Sequence, residues 1–287
     1  MFVLLAIPLF VCLLLIFIIC LTKKNWLFSL LLLLLIIFVN QHTELISYGL
    51  LWQGNSKDVD FTIMTYNVHN AGKDYAENQV AIAKEILNMY PDVAYLCEFA
   101  LWRNRKLDSI VTFNNAYTRY YITGTNCVFY SKYAIDTIAD VFAVVSKKKH
   151  SLNNKIHVFL GNDTLTLIGC HFSSSNHHIR KGYQKREKEA DAIYESIKDE
   201  KYPVIVMGDL NDISGSYAVE RVKEAGLKDA WWEGGLGYGA TFHDKWLRLR
   251  LDHILYQNNK LDLNYIKVID SDLSDHNALV AGFTFKK

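Results

Sequence analysis

The strongest pattern in the chain is a pair of long apolar runs at its N-terminus. No charged residue occurs from Met1 to Leu21, and a second run, Trp26 to Val39, is interrupted only by Ser29. About twenty apolar residues form a helix long enough to cross the roughly 30 Å hydrocarbon core of a bilayer. Residues 1–40 therefore predict a membrane anchor of two transmembrane helices. A cleaved signal peptide is the alternative, but the first run lacks a basic start and a cleavage-site pattern.

The break between the two runs contains the basic residues Lys23 and Lys24. Basic residues in short loops tend to stay on the cytoplasmic side of a membrane. If both runs span the bilayer, both chain ends lie on the opposite side. The pattern therefore predicts that the rest of the chain faces the non-cytoplasmic side.

Residues 41–59 mix polar positions with a short apolar stretch and predict a linker outside the core. From residue 60 to residue 287, short β-branched and aromatic runs are interspersed with amphipathic segments, which indicates one mixed α/β domain. The predicted strands are Phe61–Val68, Val93–Glu98, Asn126–Tyr130, Ile156–Leu160, Leu165–His171, Val204–Met207, Leu251–Tyr256 and Leu279–Phe285. The predicted helices are Asn78–Met89, His178–Ile197 and Ser216–Glu224.

Composition and charge narrow the class of protein. The hydrophobic fraction of 51% is high for a soluble chain, and the N-terminal runs account for the excess. Beyond residue 58, basic and acidic side chains are equal in number. Tight non-specific nucleic-acid binding usually shows a basic excess, so this balance disfavours a dedicated DNA-binding enzyme. The five cysteines have neither metal-ligand spacing nor the pattern of a disulfide framework.

Polar clusters lie in or at the ends of the predicted strands. A carboxylate beside an apolar run is costly unless a partner compensates it, and a divalent cation is an effective partner. Oxygen-rich sites without thiols suit Mg²⁺ or Mn²⁺. The clusters are Tyr66-Asn67, Cys97-Glu98, Cys170-His171, Gly208-Asp209-Leu210-Asn211, Asp252-His253 and Ser274-Asp275-His276.

Each cluster alone also has a purely structural interpretation. Asn67 suits the end of a strand, and the Gly-Asp-Leu-Asn segment suits a turn. Glu98 or Asp252 fits a structural ion pair, and His171 fits a hydrogen-bonded core histidine. Ser-Asp-His fits a simple loop. It is the occurrence of all the clusters together, in this order, that favours a functional interpretation.

Taken together, the clusters resemble the ordered motifs of the endonuclease/exonuclease/phosphatase family over residues 60–287. The resemblance implies a four-layer αββα sandwich, with two sheets face to face, helices outside and a site at the strand ends of one edge. It also implies metal-dependent phosphoester hydrolysis with Mg²⁺ or Mn²⁺ as cofactor. The matching segments are Thr65-Tyr66-Asn67, Leu96-Cys97-Glu98, Gly208-Asp209-Leu210-Asn211, Arg250-Leu251-Asp252-His253-Ile254 and Ser274-Asp275-His276.

Three of the motif residues are implied to lie at the metal. By resemblance, Glu98 is the principal metal ligand, and Asn67 lies beside it. Asp275 is implied to lie near the metal.

The other motif residues are implied to act on water and phosphate. By resemblance, Asp209 orients or deprotonates the attacking water, with Asn211 as its hydrogen-bonding neighbour. His276 contacts a phosphoryl oxygen, and Asp252 fixes the tautomer of that imidazole. His171 stands where family members have His or Tyr, and it stabilises charge or helps the leaving group.

Several softer features have two interpretations. Arg186 and Glu189, with Ala190, resemble a recurring family helix, although a solvated charged face explains them equally well. The basic and aromatic loop 241–248 fits a contact with substrate phosphate or an ordinary soluble loop. His177 and His178 fit a metal pair or surface residues.

The motifs define a reaction, whereas loops define the substrate. Nucleic acid, lipid headgroups and sugar or inositol phosphates all stay open as substrates, as does the oligomeric state. A membrane tether favours lipid substrates, and an exported nuclease agrees equally well with such a tether. A role in abasic-site repair agrees with it least. The alternative from another class is a membrane-tethered scaffold that has lost activity, which the presence of Glu98, Asp209, Asn211 and His276 disfavours.

Overall fold

The computed structural model describes residues 2–49, 59–71, 75–113, 116–122, 125–145, 148–174, 179–245 and 247–286. A short 3₁₀ turn covers His69–Ala71. The helices are α1 (Phe2–Thr22), α2 (Trp26–Thr43), α3 (Tyr75–Met89), α4 (Arg105–Val111), α5 (Ile179–Ile197), α6 (Tyr217–Lys223) and α7 (Ala230–Gly234).

The strands form two large sheets and two short pairs. In order along the chain they are β1 (Ser47–Tyr48), β2 (Phe61–Asn67), β3 (Val93–Cys97), β4 (Thr118–Ile122), β5 (Cys127–Ser131), β6 (Ile135–Val145), β7 (Lys148–Leu160), β8 (Asp163–His171), β9 (Val204–Asp209), β10 (Lys228–Asp229), β11 (Leu236–Gly237), β12 (Phe242–Asp244), β13 (Leu247–Leu249), β14 (Asp252–Tyr256), β15 (Leu261–Ile269) and β16 (Ala278–Phe285). The six-stranded sheets have the orders β10-β14-β9-β8-β7-β6 and β15-β16-β2-β3-β5-β4.

The two six-stranded sheets pack face to face. Side chains alternate between the two faces of a strand. In β2, accordingly, Ile63 points into the core between the sheets, whereas Met64 points away from it. Met207 of β9 and Ile254 of β14 meet this inner core from the other sheet.

Helices cover the outer face of each sheet. Ile82 of α3 and Leu107 of α4 pack on the sheet that contains β2. Ile193 of α5 and Val219 of α6 pack on the sheet that contains β9. The predicted four-layer αββα sandwich is confirmed.

The N-terminal runs form a helical hairpin. Phe10 and Leu13 of α1 pack against Leu32 and Ile36 of α2, while many other apolar side chains of both helices are exposed. Within the described part of the chain, no helix has the length and apolarity that a membrane span requires. The prediction of two transmembrane helices is therefore not supported.

The end of α2 is attached to the sandwich, which the prediction of a linker did not anticipate. Ser47 and Tyr48 pair with β11, and the Ser47 hydroxyl donates to the backbone oxygen of Gly235 at 2.8 Å. Glu44 forms a 2.6 Å ion pair with Lys223 of α6. These contacts bury part of the segment, so it packs as structure as far as Gly49. The domain boundary at residue 60 stays a prediction.

Candidate active site

Strand register brings five of the predicted site residues to one edge of the sandwich. Asn67 ends β2, and Glu98 directly follows the end of β3, which runs parallel to β2. His171 ends β8 and lies opposite Asp209 at the end of the parallel strand β9. Asp252 begins β14 and lies opposite Asp209 on its other side, because β14 is antiparallel to β9.

Asn67 links the two sheets at this edge. Its amide nitrogen donates to Glu98 Oε1 at 3.2 Å in its own sheet and to Asp209 Oδ2 at 3.1 Å in the other. The Ser274 hydroxyl donates to the backbone oxygen of Asn67 at 2.8 Å. The proposed metal ligand and the proposed general base are therefore held by one buried amide.

Asp209 is buried and surrounded by hydrogen-bond donors. The backbone N–H of Asn211 donates to Oδ1 at 2.8 Å, and the Asn211 side chain donates to Oδ2 at 3.2 Å. Burial, followed by the negative charge of Asp252, raises the pKa of Asp209. A carboxylate with a raised pKa is a stronger proton acceptor.

His276 and Asp252 form a buried pair. His276 Nδ1 donates to Asp252 Oδ2 at 2.7 Å, and His276 Nε2 lies 3.8 Å from Asp209 Oδ2. Burial alone would lower the pKa of His276, but the charge and hydrogen bond of Asp252 outweigh it and raise the pKa to about 10. The imidazole is therefore protonated at neutral pH, and its Nε2–H is available as a donor.

His171 lies between Asp209 and Glu98. Its Nε2 is 3.7 Å from Glu98 Oε1. Burial opposes the charged form, but the hydrogen bond with Cys127 and the charges of Asp209 and Glu98 raise the pKa of His171 to about 9. A second protonated imidazole therefore faces the same edge.

The backbone at this edge is unusually strained. Glu98, Asn211, His69 and Asn70 all have left-handed φ angles between 41° and 52°. At Gly208 φ is 137°, and a Cβ there would lie 2.0 Å from a backbone oxygen. Such conformations persist where the surrounding structure fixes them, and they cluster at functional sites.

His69 is a site residue that the sequence prediction missed. Its Nδ1 lies 3.2 Å from Asp275 Oδ2 and 3.6 Å from Glu98 Oε2. The hydrogen bond with Asp275 is the main cause of a raised pKa for His69. Its position two residues after Asn67 was the sequence feature that could have identified it as a site residue. Only the fold shows that it contacts Asp275.

The helix that follows His171 is structural support, not a solvated face. Arg186 and Glu189 of α5 are buried. Arg186 Nε donates to Asp212 Oδ2 at 2.9 Å, and Glu189 accepts bonds from the backbone and hydroxyl of Ser173. They hold the segments that follow His171 and Asn211. His177 and His178, predicted as a metal pair or surface residues, lie outside the described residues. The segment 241–248, predicted as a loop, instead contains β12 and most of β13, which pair with each other, and Trp246 between them is outside the described residues.

The chemistry of the donors, and not their present spacing, suits a divalent cation. Among the described residues, no group of three or more His, Cys, Asp or Glu side chains lies where it could hold a metal ion. Within the described chain, four carboxylates at this edge form ion pairs with imidazoles only: Glu98, Asp209, Asp252 and Asp275. Asp252 Oδ1 is buried and has no hydrogen-bond partner among the residues that the structure describes. Four acidic side chains at one edge require compensation by positive charge, and carboxylate oxygens are the donors that Mg²⁺ and Mn²⁺ prefer.

Fold and site together define an αββα sandwich with acidic, amide and imidazole groups at one rim. The sequence profile of the Endonuclease/Exonuclease/phosphatase family matches residues 64–276, and the chain belongs to this family. The resemblance stated from the motifs is thus confirmed. Members of the family are typically metal-dependent phosphoester hydrolases that use divalent cations, generally Mg²⁺.

Solved structures of the same architecture support the fold. A D. rerio TDP2 humanised by 14 mutations is 19% identical with a TM-score of 0.63, covering 78% of this chain and 98% of that one. A mannosyl-6-phosphatase from Bacteroides thetaiotaomicron is 15% identical with a TM-score of 0.61, covering 78% and 100%. The catalytic domain of human Nocturnin is 17% identical with a TM-score of 0.60, covering 79% and 94%. No curated protein matches the chain.

Proposed function

We propose that this protein is a metal-dependent hydrolase of phosphoester bonds. The observation that carries the proposal is the convergence of Glu98, the Asp209–Asn211 pair and the Asp252–His276 pair at one edge, with Asn67 joining the two sheets. In this proposal Asp209 is the proton acceptor, His276 is the protonated imidazole and Glu98 is the cation-binding carboxylate. Phosphoester hydrolysis needs these three functions.

Each side chain has a definite part in the proposed reaction. Asp209 orients the attacking water and accepts its proton, while Asn211 holds the carboxylate in place. His276 donates Nε2–H to a phosphoryl oxygen, and Asp252 keeps the imidazole protonated and oriented. As the water oxygen bonds to phosphorus, the P–O bond to the leaving group breaks. His171 stabilises the negative charge that develops or gives a proton to the departing oxygen.

The cofactor fits the acidic end of the site. Glu98 is the proposed principal ligand of Mg²⁺ or Mn²⁺, with Asn67 and Asp275 beside it. When bound, such an ion supplies neutralisation of the charge on the phosphoryl oxygens.

The first test is metal-dependent hydrolysis by the full chain in mild detergent. We expect release of p-nitrophenol from bis-p-nitrophenyl phosphate with Mg²⁺ or Mn²⁺ and loss of that release with EDTA. A panel of plasmid DNA, RNA, sphingomyelin, inositol phosphates and sugar phosphates then identifies the substrate class. Absence of metal-dependent activity on every member of the panel would favour an inactive scaffold instead.

The neighbouring structures guide the choice of panel. One is a D. rerio TDP2 bound to a single-stranded DNA product, and another is a mannosyl-6-phosphatase. These proteins act on a nucleic acid and on a sugar phosphate, and both substrates are phosphoesters. For the present chain, the even charge balance beyond residue 58 disfavours tight nucleic-acid binding.

The proposed location is a membrane, with the sandwich on the non-cytoplasmic side. Leu15 and Ile19 of α1 and Leu27 and Leu31 of α2 are each more than half exposed. An apolar surface of this kind is stable when lipid covers it. We expect the protein to sediment with membranes at neutral pH and to be released by detergent. Recovery in the soluble fraction without detergent would contradict this location.

A further inference from the structure

The residue before β12 joins the two members of the buried Asp252–His276 pair. The Thr241 hydroxyl accepts hydrogen bonds from the backbone N–H of Leu251 at 3.1 Å and of Asp252 at 3.0 Å. The backbone oxygen of Thr241 accepts from the N–H of Asn277, the residue after His276, at 2.6 Å. Thr241 is itself buried. One threonine therefore ties the start of β14 to the loop that carries the imidazole.

The next residue, Phe242, contacts the imidazole itself. Its ring centroid lies 5.1 Å from that of His276, and the two ring planes meet at 62°, which is an edge-to-face arrangement. Such an arrangement is a favoured one for pairs of aromatic rings. The backbones of Phe242 and His276 form a β-bridge, and the His243 N–H donates to the backbone oxygen of Asp275 at 2.8 Å. The main chain therefore holds the two rings against each other.

Core packing does not account for this phenylalanine. Phe242 is half-buried, and within the described part of the chain it belongs to none of the hydrophobic cores between, outside or beside the two large sheets. The aromatic contact found for it there is with His276. Its large apolar side chain thus lies beside the proposed active site instead of filling the interior.

A single hydrogen bond does not fix the plane of the imidazole. His276 Nδ1 donates to Asp252 Oδ2 at 2.7 Å. A hydrogen bond tolerates bending by about 30°, and the χ2 torsion of histidine is broad, so the ring can tilt while this bond persists. Nε2 lies 3.8 Å from Asp209 Oδ2, which is too far for a second hydrogen bond. A neighbour packed against the ring is therefore needed to set the direction of Nε2.

We propose that Phe242 is a positioning residue for phosphoester hydrolysis: its ring fixes the plane of the His276 imidazole and so aims Nε2 at the phosphoryl oxygen. The inference rests on the proposed function, in which His276 donates to that oxygen. Phe242 is assigned no contact with substrate, so its effect passes through His276. A misplaced catalytic group lowers turnover without weakening substrate binding, so the effect falls on kcat and not on KM.

The first test is kinetic and uses the full chain in detergent, with bis-p-nitrophenyl phosphate as substrate. Phe242→Leu should lower kcat about threefold to tenfold and leave KM nearly unchanged, because an edge-to-face pair contributes a factor of this size. Phe242→Tyr keeps the ring and should retain the wild-type kcat. Phe285→Leu is the matched control, since Phe285 is also half-buried and its ring lies 5.1 Å from that of Phe61, at the opposite end of β16 from His276. This control should hydrolyse normally.

A double-mutant cycle separates positioning from direct contact with substrate. If Phe242 acts through His276, Phe242→Leu should change the residual rate of His276→Ala by less than about twofold. An equal loss of kcat in the wild-type and His276→Ala backgrounds would assign Phe242 to substrate binding or to the fold, and it would overturn the inference.

The second test needs no turnover. Carbon relaxation of the full chain, labelled with ¹³C at histidine, reports the motion of each imidazole, and His276→Ala identifies the signal of His276. Phe242→Leu should shift this signal and make the ring more mobile, whereas Phe285→Leu should change neither property.

Unchanged mobility of the imidazole in Phe242→Leu overturns the inference, as does full kcat in that variant or an equal loss of kcat in Phe242→Tyr. A protein that hydrolyses no phosphoester would remove the proposed function. The relaxation measurement would then still decide whether Phe242 orients the His276 ring, so the two failures are distinguishable.

Discussion

Asp209→Asn should lower kcat for phosphoester hydrolysis by about a thousandfold, because a positioned general base contributes roughly 10² to 10⁴ to the rate. The amide keeps the size of the carboxylate but cannot accept the proton of water. It still accepts from Asn211 N–H, which the native Oδ1 does at 2.8 Å. The measurement is steady-state hydrolysis of the best substrate from the panel, at saturating Mg²⁺ or Mn²⁺.

A control variant and a second active-site variant show whether the loss of kcat is specific to the proposed mechanism. Asp163→Asn changes an exposed aspartate at the opposite end of β8 from His171, and it should hydrolyse normally. His276→Ala removes the donor to the phosphoryl oxygen and should lower kcat by about 10² to 10³. Near-normal turnover by either Asp209→Asn or His276→Ala, in a folded variant, would remove that residue from the proposed mechanism.

The central strands were predictable because they are buried on both faces. Val204–Asp209 and Val93–Cys97 are buried along their whole length, so their sequences are nearly continuous apolar runs. Within the two large sheets the sequence prediction missed β4, β6, β10 and β15, and these four strands are the edges of the sheets. In β15 the exposed positions are Asp262 and Lys267, and such interruptions hide the strand pattern.

The sequence predicts a set of site residues but not their geometry. Motif order identified Asn67 and Asp209, yet their 3.1 Å contact joins two sheets and depends on packing between residues far apart in the chain. The contact of His69 with Asp275 has the same origin. No local sequence pattern predicts the 2.6 Å ion pair of Glu44 and Lys223, which attaches the end of α2 to α6. Contacts between residues so far apart in the sequence can be identified only from the assembled fold.

The second large effect concerns stability and a buried ion pair beside the site. Asp229 Oδ2 accepts from Arg250 at 2.6 Å, and the Arg250 guanidinium also donates to Ser214. His253 Nδ1 lies 3.4 Å from the same Asp229 oxygen. Both members of the ion pair are almost fully buried. Removing one partner of such a pair leaves an uncompensated charge in the interior, which typically costs about 3 to 5 kcal/mol.

Asp229→Asn should therefore lower the free energy of unfolding at pH 7 by about 3 to 5 kcal/mol, measured by urea denaturation of the full chain in detergent. Burial alone would raise the pKa of Asp229, but the charge of Arg250 and the bonds from His253 and Arg250 hold it well below its usual range. A depressed pKa stabilises the folded state above the unfolded pKa of about 4, and the contribution is lost as the pH falls below it. The difference in unfolding free energy between wild type and variant should thus be constant from about pH 5 to 8, where aspartate is ionised in both the folded and the unfolded state. This difference should shrink in acid.

The exposed pair of Glu195 and Lys198, 2.6 Å apart at the C-terminal end of α5, is the matched control for Asp229→Asn. Water already solvates both of its charges, so Glu195→Gln should leave the unfolding free energy unchanged within error. Combining Asp229→Asn with Arg250→Met should recover part of the lost stability, because the second change removes the unpaired cation. If Asp229→Asn is as mild as Glu195→Gln, or if its effect does not shrink in acid, the ion pair does not stabilise the fold in the way that its burial implies.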